Sequence, residues 1–357
     1  MKIAAICGMS DDKVRARLLP LVEINTIEQI YLFRRSSFEM EKVKTYSSPA
    51  LLNWSLFLSE IYRFIALFFI CLKEKPDYIY GIYFVPHGIY AAIVGFLLNI
   101  PVIQEIIGTD RLLVTKSKIY QRLLSQAERI GVRGTASRDQ LSEMGIPKEK
   151  MFISFAVNAI DFNLFKPDQS SKKYDLIYCG RLDQNKQINL LLDAFFEINK
   201  QNSALKLILV GDGPEKKNLE MKVKTLNINE DVTFAGKQDY KYIPSFLNKS
   251  RIFVMASAFE GLPVAMLEAL SCGLPVIVPD IGDISDIAKH GYNAWIIKEN
   301  NLREYQEAIE AILNNSSFYQ KLQTGALETR EKFIKTFTVS NAQDTWKDIL
   351  ECKNLEN

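Results

Sequence analysis

From residue 175 onward, short apolar runs alternate with stretches of helical spacing. No other feature restricts the fold as much. Runs of strand character stand at 175–179, 205–210, 232–235, 252–256, 275–278 and 294–297. Helical patterns fill the intervals at 188–201, 214–226, 240–249, 263–271, 284–290 and 302–314. Strands that alternate with helices predict a parallel, doubly wound α/β sheet. The first half follows the same logic less regularly, with strands expected at 2–7, 28–33, 78–82, 101–105, 129–132 and 151–154. Its helices are expected at 52–74, 87–98, 116–127 and 137–144. The polar stretch FKPDQSSKKYD, with Pro167 and a serine pair, marks the boundary between the halves.

A chain of 357 residues is long enough for two such domains. Its 48% hydrophobic and 24% charged residues are those of a globular protein with a sizeable core. A net charge of +2 gives no reason to expect nucleic acid as a partner. The cysteines, Cys7, Cys71, Cys179, Cys272 and Cys352, are scattered, odd in number and without a CxxC pair. This predicts reduced thiols in a cytoplasmic protein, with neither a disulfide framework nor a zinc site. The opening MKIAAICGMSDD has too short an apolar run for a signal peptide and reads as a first buried strand.

Residues 56–72, LFLSEIYRFIALFFICL, are apolar but broken by Glu60 and Arg63. A membrane span needs about 20 apolar residues. The stretch therefore reads as a buried helix, with a helix lying on a membrane surface as the alternative. Residues 1–160 carry 20 Lys and Arg against 15 Asp and Glu, a surplus of five positive charges, and the remainder carries 24 against 27. Part of the surplus, Arg111, Lys116, Lys118 and Arg122, gathers on one helical stretch. That stretch reads as a solvated face, or as a surface for anionic lipid or a phosphate-bearing acceptor.

Two segments carry the chemistry. SAFEGLPVAMLE at 257–268 sets Glu260 on the loop that follows a strand and Glu268 on the inner face of the next helix. Ligands of open α/β sheets bind at such strand ends. Carboxylates there suit hydroxyl groups, as on a sugar or a ribose. GRLDQNK at 180–186 supplies Arg181 and Lys186 around a loop that leads into a helix. A guanidinium fork, an ammonium and a helix N-terminus together suffice to hold a diphosphate. The chain has no Asp-x-Asp pair, so no metal ligands are expected. Gly211 opens the turn GDGP after the next strand, and Pro214 suits a first helical position. The turn lacks the third glycine of GxGxxG, which argues against a nicotinamide oxidoreductase.

GRLDQNK, LILVGDGP, VTFAG, SAFEGLPVAMLEALSCGLPVIVPDIGD and the weaker VNAIDFNLFKP together resemble the GT-B glycosyltransferases of retaining family 4, "group 1". The resemblance implies two Rossmann-like domains facing across a cleft. An acceptor-binding domain would occupy 1–166 and an NDP-sugar-binding domain 167–337. A helix at 338–357 would cross back onto the first. By motif position, Arg181 and Lys186 resemble the pair that neutralises the diphosphate, Glu268 the residue that holds the ribose, and Glu260 the one near the donor sugar. Gly261, Leu262, Pro263 and Val264 match the turn whose backbone approaches sugar and phosphate, and Gln238 and Asp239 fall where the base is contacted. Gly211 joins this donor-binding set. Gly8, Met9, Ser10, His87 and Asp110 fall on the acceptor side.

Departures from the pattern are Tyr80 and Ile82 where histidines are usual, Ile107 for a His or Arg, Ala159 for a Gly, Gly282-Asp283 for paired glycines, and HGYNA at 290–294. The implied activity is transfer of a sugar from a UDP- or GDP-sugar to a hydroxyl of a glycan or lipid-linked acceptor. It would proceed without metal or cofactor, in cell-surface polysaccharide synthesis, in the cytoplasm or at the inner membrane face. The alternatives are a non-catalytic nucleotide-sugar-binding subunit and a sugar-nucleotide epimerase.

Overall fold

A computed structural model describes residues 1–108, 110–154, 160–201 and 205–351. The chain forms two units, one of residues 1–159 with 337–357 and the other Ile160–Thr336. Thr109, Cys352, Ala159 and the start of VNAIDFNLFKP lie outside the described residues.

In the first unit the strands are β1 (Lys2–Ile6), β2 (Gln29–Arg34), β3 (Val43–Ser47), β4 (Tyr78–Ile82), β5 (Val102–Glu105), β6 (Arg129–Val132) and β7 (Met151–Ile153). All pair in parallel, in the order β3-β2-β1-β4-β5-β6-β7. The helices are α1 (Asp11–Val22), α2 (Leu56–Glu74), α3 (Ile89–Leu98), α4 (Asp110–Lys116), α5 (Lys118–Ser125) and α6 (Thr135–Glu143). Strand β1 shows why the sheet needs helices on both faces. Its Ile3 and Ala5 enter one buried cluster, which includes Leu18 of α1, while Ala4 and Ile6 enter another, which includes Leu67 of α2.

The second unit contains β8 (Tyr174–Cys179), β9 (Leu207–Val210), β10 (Val232–Gly236), β11 (Ser250–Val254), β12 (Val276–Pro279) and β13 (Ala294–Ile297). Their order is β10-β9-β8-β11-β12-β13, again all parallel. The helices are α7 (Ile188–Gln201), α8 (Lys216–Thr225), α9 (Ile243–Asn248), α10 (Val264–Ser271), α11 (Ile284–Ile287), α12 (Leu302–Leu313) and α13 (Ser316–Thr336). The last helix, α14 (Val339–Glu351), belongs to the first unit, where Trp346, Ile349 and Leu350 complete the cluster around α1.

Three expectations are corrected. The break between the units falls before Ile160 rather than at 167, because Ile160 and Phe165 are already buried and Phe165 packs on Tyr240 with ring centroids 5.0 Å apart. Strand β3 and helix α1 stand where no element was expected. The helix expected at 116–127 is α5 alone, and α4 precedes it where no element was expected; the two part at Ser117, whose backbone is extended and whose hydroxyl caps the N–H of Tyr120 at 3.4 Å. Tyr80 and Ile82 are core residues of β4 with their side chains buried. Among the described residues no helix is long and apolar enough to cross a membrane.

Candidate active site

The strand order of the second unit reverses between β8 and β11, and in open α/β sheets ligands bind at the carboxyl ends of two such strands. Both motif loops leave from there, residues 180–187 from β8 and 255–263 from β11. Three contacts sew them together. The Ala258 N–H donates to the Asn185 carbonyl at 2.8 Å, and the Asn185 side-chain amide donates to the Phe259 carbonyl at 2.9 Å. The Lys186 ammonium meets Glu260 Oε1 at 2.5 Å, with the two side chains only 22% and 13% exposed. Residues 74 apart in sequence, expected to act on different parts of a ligand, are thus an ion pair. Arg181 is held quite differently. Its side chain is 71% exposed, and its Nε lies a long 3.5 Å from Asp183 Oδ2.

Glycine backbone fixes both loops. Gly211 has φ of +145°, and a Cβ there would stand 1.8 Å from the Gly180 carbonyl oxygen. The Leu182 N–H donates to the Asp212 carbonyl at 3.0 Å. The GDGP turn therefore braces the Arg181 loop instead of merely reversing the chain. Gly282 does the same for Glu260. Its φ is +59°, a Cβ would sit 2.2 Å from the Glu260 carbonyl oxygen, and the next N–H, of Asp283, donates to the Gly261 carbonyl at 2.9 Å. Sequence reasoning recorded Gly282-Asp283 only as a departure. The signal was a glycine in the short loop that follows a strand.

Glu268 lies on the inner face of α10 and is buried. Burial pushes its carboxyl up to about 8, while the Tyr240 hydroxyl against it pulls the other way. The flanking thiols of Cys179 and Cys272 are raised to about 12, chiefly by burial. This arrangement has a consequence for stability. Below the ordinary value of 4.5, Glu268 is protonated in the folded and unfolded chain alike. Between 4.5 and about 8 only the unfolded chain gives up the proton, so this residue's contribution to stability falls as pH rises and is gone once the folded carboxyl ionises. Replacing Glu268 with Gln should flatten that part of the stability–pH curve. Denaturant melts of both proteins across this range will check it, and parallel curves would contradict the raised pKa.

Leu262 and Pro263 are buried and Gly261 and Val264 half-buried, so this turn presents chiefly backbone. Gln238 donates to the Ala235 carbonyl at 2.5 Å and closes the turn after β10, and Asp239 is exposed beside it.

The first unit has its own reversal of strand order, between β1 and β4. Here Gly8 meets His87, whose Cε1 would lie 2.8 Å from a Cβ at position 8. Gly8, Met9, Ser10 and His87 line a cavity of about 790 Å³ together with Arg34, Arg35 and Arg63. His87 Nε2 is 3.1 Å from Arg63 Nη1 and 3.7 Å from Glu60 Oε2. Burial, and then the neighbouring guanidinium, hold the imidazole down to about 3, so it is neutral. The arginines were missed by sequence reasoning. Asp110 is not part of this group. It is buried, accepts the Phe84 N–H at 2.6 Å, and clamps the turn after β4, with burial raising its carboxyl to about 6. Tyr80 is likewise committed internally, donating to Glu105 Oε2 at 3.1 Å, and Ile107 packs against the same core.

Two Rossmann-like units, the second with lysine, arginine and two acids at its switch point, define the architecture of a GT-B glycosyltransferase. Residues 160–334, nearly the whole second unit, match the family model "Glycosyl transferases group 1", so this unit is a domain of that family and the chain is a glycosyltransferase. It is similar to N-acetyl-alpha-D-glucosaminyl L-malate synthase of Bacillus anthracis, 26% identical over 293 residues that cover 78% of this chain and 76% of the relative. It is also similar to the UDP-Gal:alpha-D-GlcNAc-diphosphoundecaprenol alpha-1,3-galactosyltransferase of Escherichia coli, 24% identical over 331 residues that cover 87% and 84%. Anabaena HepE, solved in complex with UDP-glucose, shares the fold with a TM-score of 0.75, covering 99% of this chain and 100% of its own, at 18% identity.

Proposed function

We propose that this chain is a family 4 enzyme that transfers a sugar from a UDP- or GDP-sugar to a hydroxyl of a glycan or lipid-linked acceptor. It would do so with retention of configuration, without a metal, and in cell-surface glycan synthesis. The observation that carries the reading is the Lys186–Glu260 pair, which joins the two loops of the switch point beside the buried acid Glu268. Lys186 and the exposed fork of Arg181 neutralise the donor diphosphate, with the N-terminus of α7 behind them. Glu268 takes the ribose hydroxyls, Glu260 those of the sugar, and the Gly261–Val264 backbone approaches both.

In the reaction the bond between the anomeric carbon and the diphosphate oxygen breaks. Charge develops on the leaving oxygens, where the cations already stand. The acceptor oxygen bonds to the anomeric carbon on the same face, and its proton passes to the departing diphosphate. The products are a nucleoside diphosphate and a glycoside. The relatives from Bacillus anthracis and Escherichia coli bear names that specify a sugar transfer or its product, which supports this class of reaction.

A thermal-shift panel of UDP-, GDP- and ADP-sugars identifies the donor, because a ligand bound only by the folded chain raises its melting temperature. With that donor, transfer is expected to persist in excess EDTA and to yield a product whose anomeric configuration, read by NMR coupling, equals the donor's. Loss of turnover on chelation, or inversion, would overturn the respective element of the proposal.

A further inference from the structure

We infer that the arginine pocket of the first unit holds the phosphate or diphosphate of a lipid-borne acceptor, whose hydrocarbon lies in a bilayer against the exposed face of α2. The inference rests on the acceptor reading above and narrows it to one substrate class.

The pocket is built for an anion. Arg34, at the end of β2, spends Nη2 on Asp11 Oδ1 at 2.7 Å, the Ser36 hydroxyl at 2.8 Å and the Met9 carbonyl at 3.2 Å. Its Nη1 is buried without a partner, on a side chain only 5% exposed. Arg63 reaches in from α2, pairs with Glu60, donates to the Cys7 carbonyl at 3.0 Å, and leaves Nε buried without a partner. Arg35 donates to the Asn53 carbonyl at the rim. The carboxylates that face them are Asp11 and Glu60, and His87 is neutral, so three guanidiniums meet two negative charges. Helix α1 starts at the same rim, and the Ser10 side chain does not cap it. Buried donors without acceptors are costly, and phosphate oxygens satisfy guanidinium forks in pairs.

The same helix supplies the hydrocarbon surface. Helix α2 turns Ser59, Arg63, Leu67 and Cys71 inward. On the opposite face Phe57, Ile61, Ile65, Phe69 and Leu72 are exposed, at a spacing that keeps them in one stripe. Trp54, 81% exposed, and Leu56, a residue of the pocket wall, join the stripe to the pocket mouth. A contiguous apolar face of this size marks an interaction site. Because α2 is too polar to span a bilayer, it suits the interface. An anion site that opens onto an apolar stripe fits a ligand that is itself half phosphate and half hydrocarbon.

Calorimetry on the full chain with decyl phosphate below its micellar concentration, inorganic phosphate and decanol tests this. Decyl phosphate should bind at least tenfold tighter than inorganic phosphate, and decanol should not bind. Equal affinity for the two phosphates would overturn the lipid source. Arg35→Ala should weaken decyl phosphate at least tenfold and leave UDP binding unchanged, and Lys186→Ala should do the reverse. Should Arg35→Ala melt early, Arg35→Lys, which keeps the charge and loses the fork, reads the same contact. Decyl phosphate binding that survives both Arg35 variants, or that disappears with Lys186, would overturn the pocket. UDP binding that ignores Lys186 would instead count against the donor site alone. Phe57→Ser with Trp54→Ser should bring decyl phosphate down to the level of inorganic phosphate and abolish flotation with phosphatidylglycerol vesicles. Failure of the native chain to float overturns the hydrocarbon half.

Discussion

Lys186→Ala is expected to lower donor affinity or turnover about ten- to a hundredfold, since a charge-assisted hydrogen bond is worth roughly 1.5–3 kcal/mol. The ion pair with Glu260 makes the effect larger than the loss of one contact. Without the ammonium, a carboxylate only 13% exposed is left unpaired next to the position proposed for the diphosphate. Repulsion is then added to lost attraction. The double variant Lys186→Ala/Glu260→Gln should consequently bind UDP better than Lys186→Ala alone, although it turns over no faster. Calorimetric UDP titrations and initial rates on the four members of this cycle separate the two contributions. Additive effects would mean that the pair is not a unit. Native kinetics in Lys186→Ala would remove the diphosphate assignment.

The Lys186–Glu260 pair also shows how far the sequence could be read. That each residue stood on a loop after a strand was legible, because the strands on either side are continuous apolar runs. That they touch was not legible, since contact depends on β8 and β11 being neighbours and on where the strand order reverses. Glu268 was legible as a residue of the inner face because it stands four places after Val264, at the spacing that puts both on one side of a helix. Strand β3 went unseen because VKTYS is a half-exposed edge strand carrying a lysine, and α1 because Pro20 sits inside it. The arginine pocket was hidden for a similar reason. Arg63 reads as a polar break in an apolar stretch, and only the fold shows that it points inward while phenylalanine and isoleucine point out.

Gly282→Ala is expected to damage the donor site from outside it. A residue other than glycine at φ of +59° carries a penalty of about 1–2 kcal/mol. Overlap is added, because the new methyl would lie 2.2 Å from the Glu260 carbonyl oxygen and 2.6 Å from that of Gly261. Both are backbone atoms and cannot swing aside as a side chain could. Relief requires the Glu260–Gly261 peptide to move, which breaks the Asp283 N–H bond to Gly261 and draws the Glu260 carboxylate off Lys186. Gly291→Ala is the matched control. Its φ of +72° imposes a comparable backbone penalty, yet nothing lies within 4 Å of its added methyl. Gly291→Ala should therefore cost about 1 kcal/mol of stability and leave UDP affinity as it was. Gly282→Ala should melt several degrees lower still and lose roughly tenfold or more in UDP affinity, the equivalent of about 1.4 kcal/mol. Melting curves and UDP titrations on the two variants decide the matter. If they behave alike, the close approach of Gly282 to the Glu260 turn does not hold the site in place.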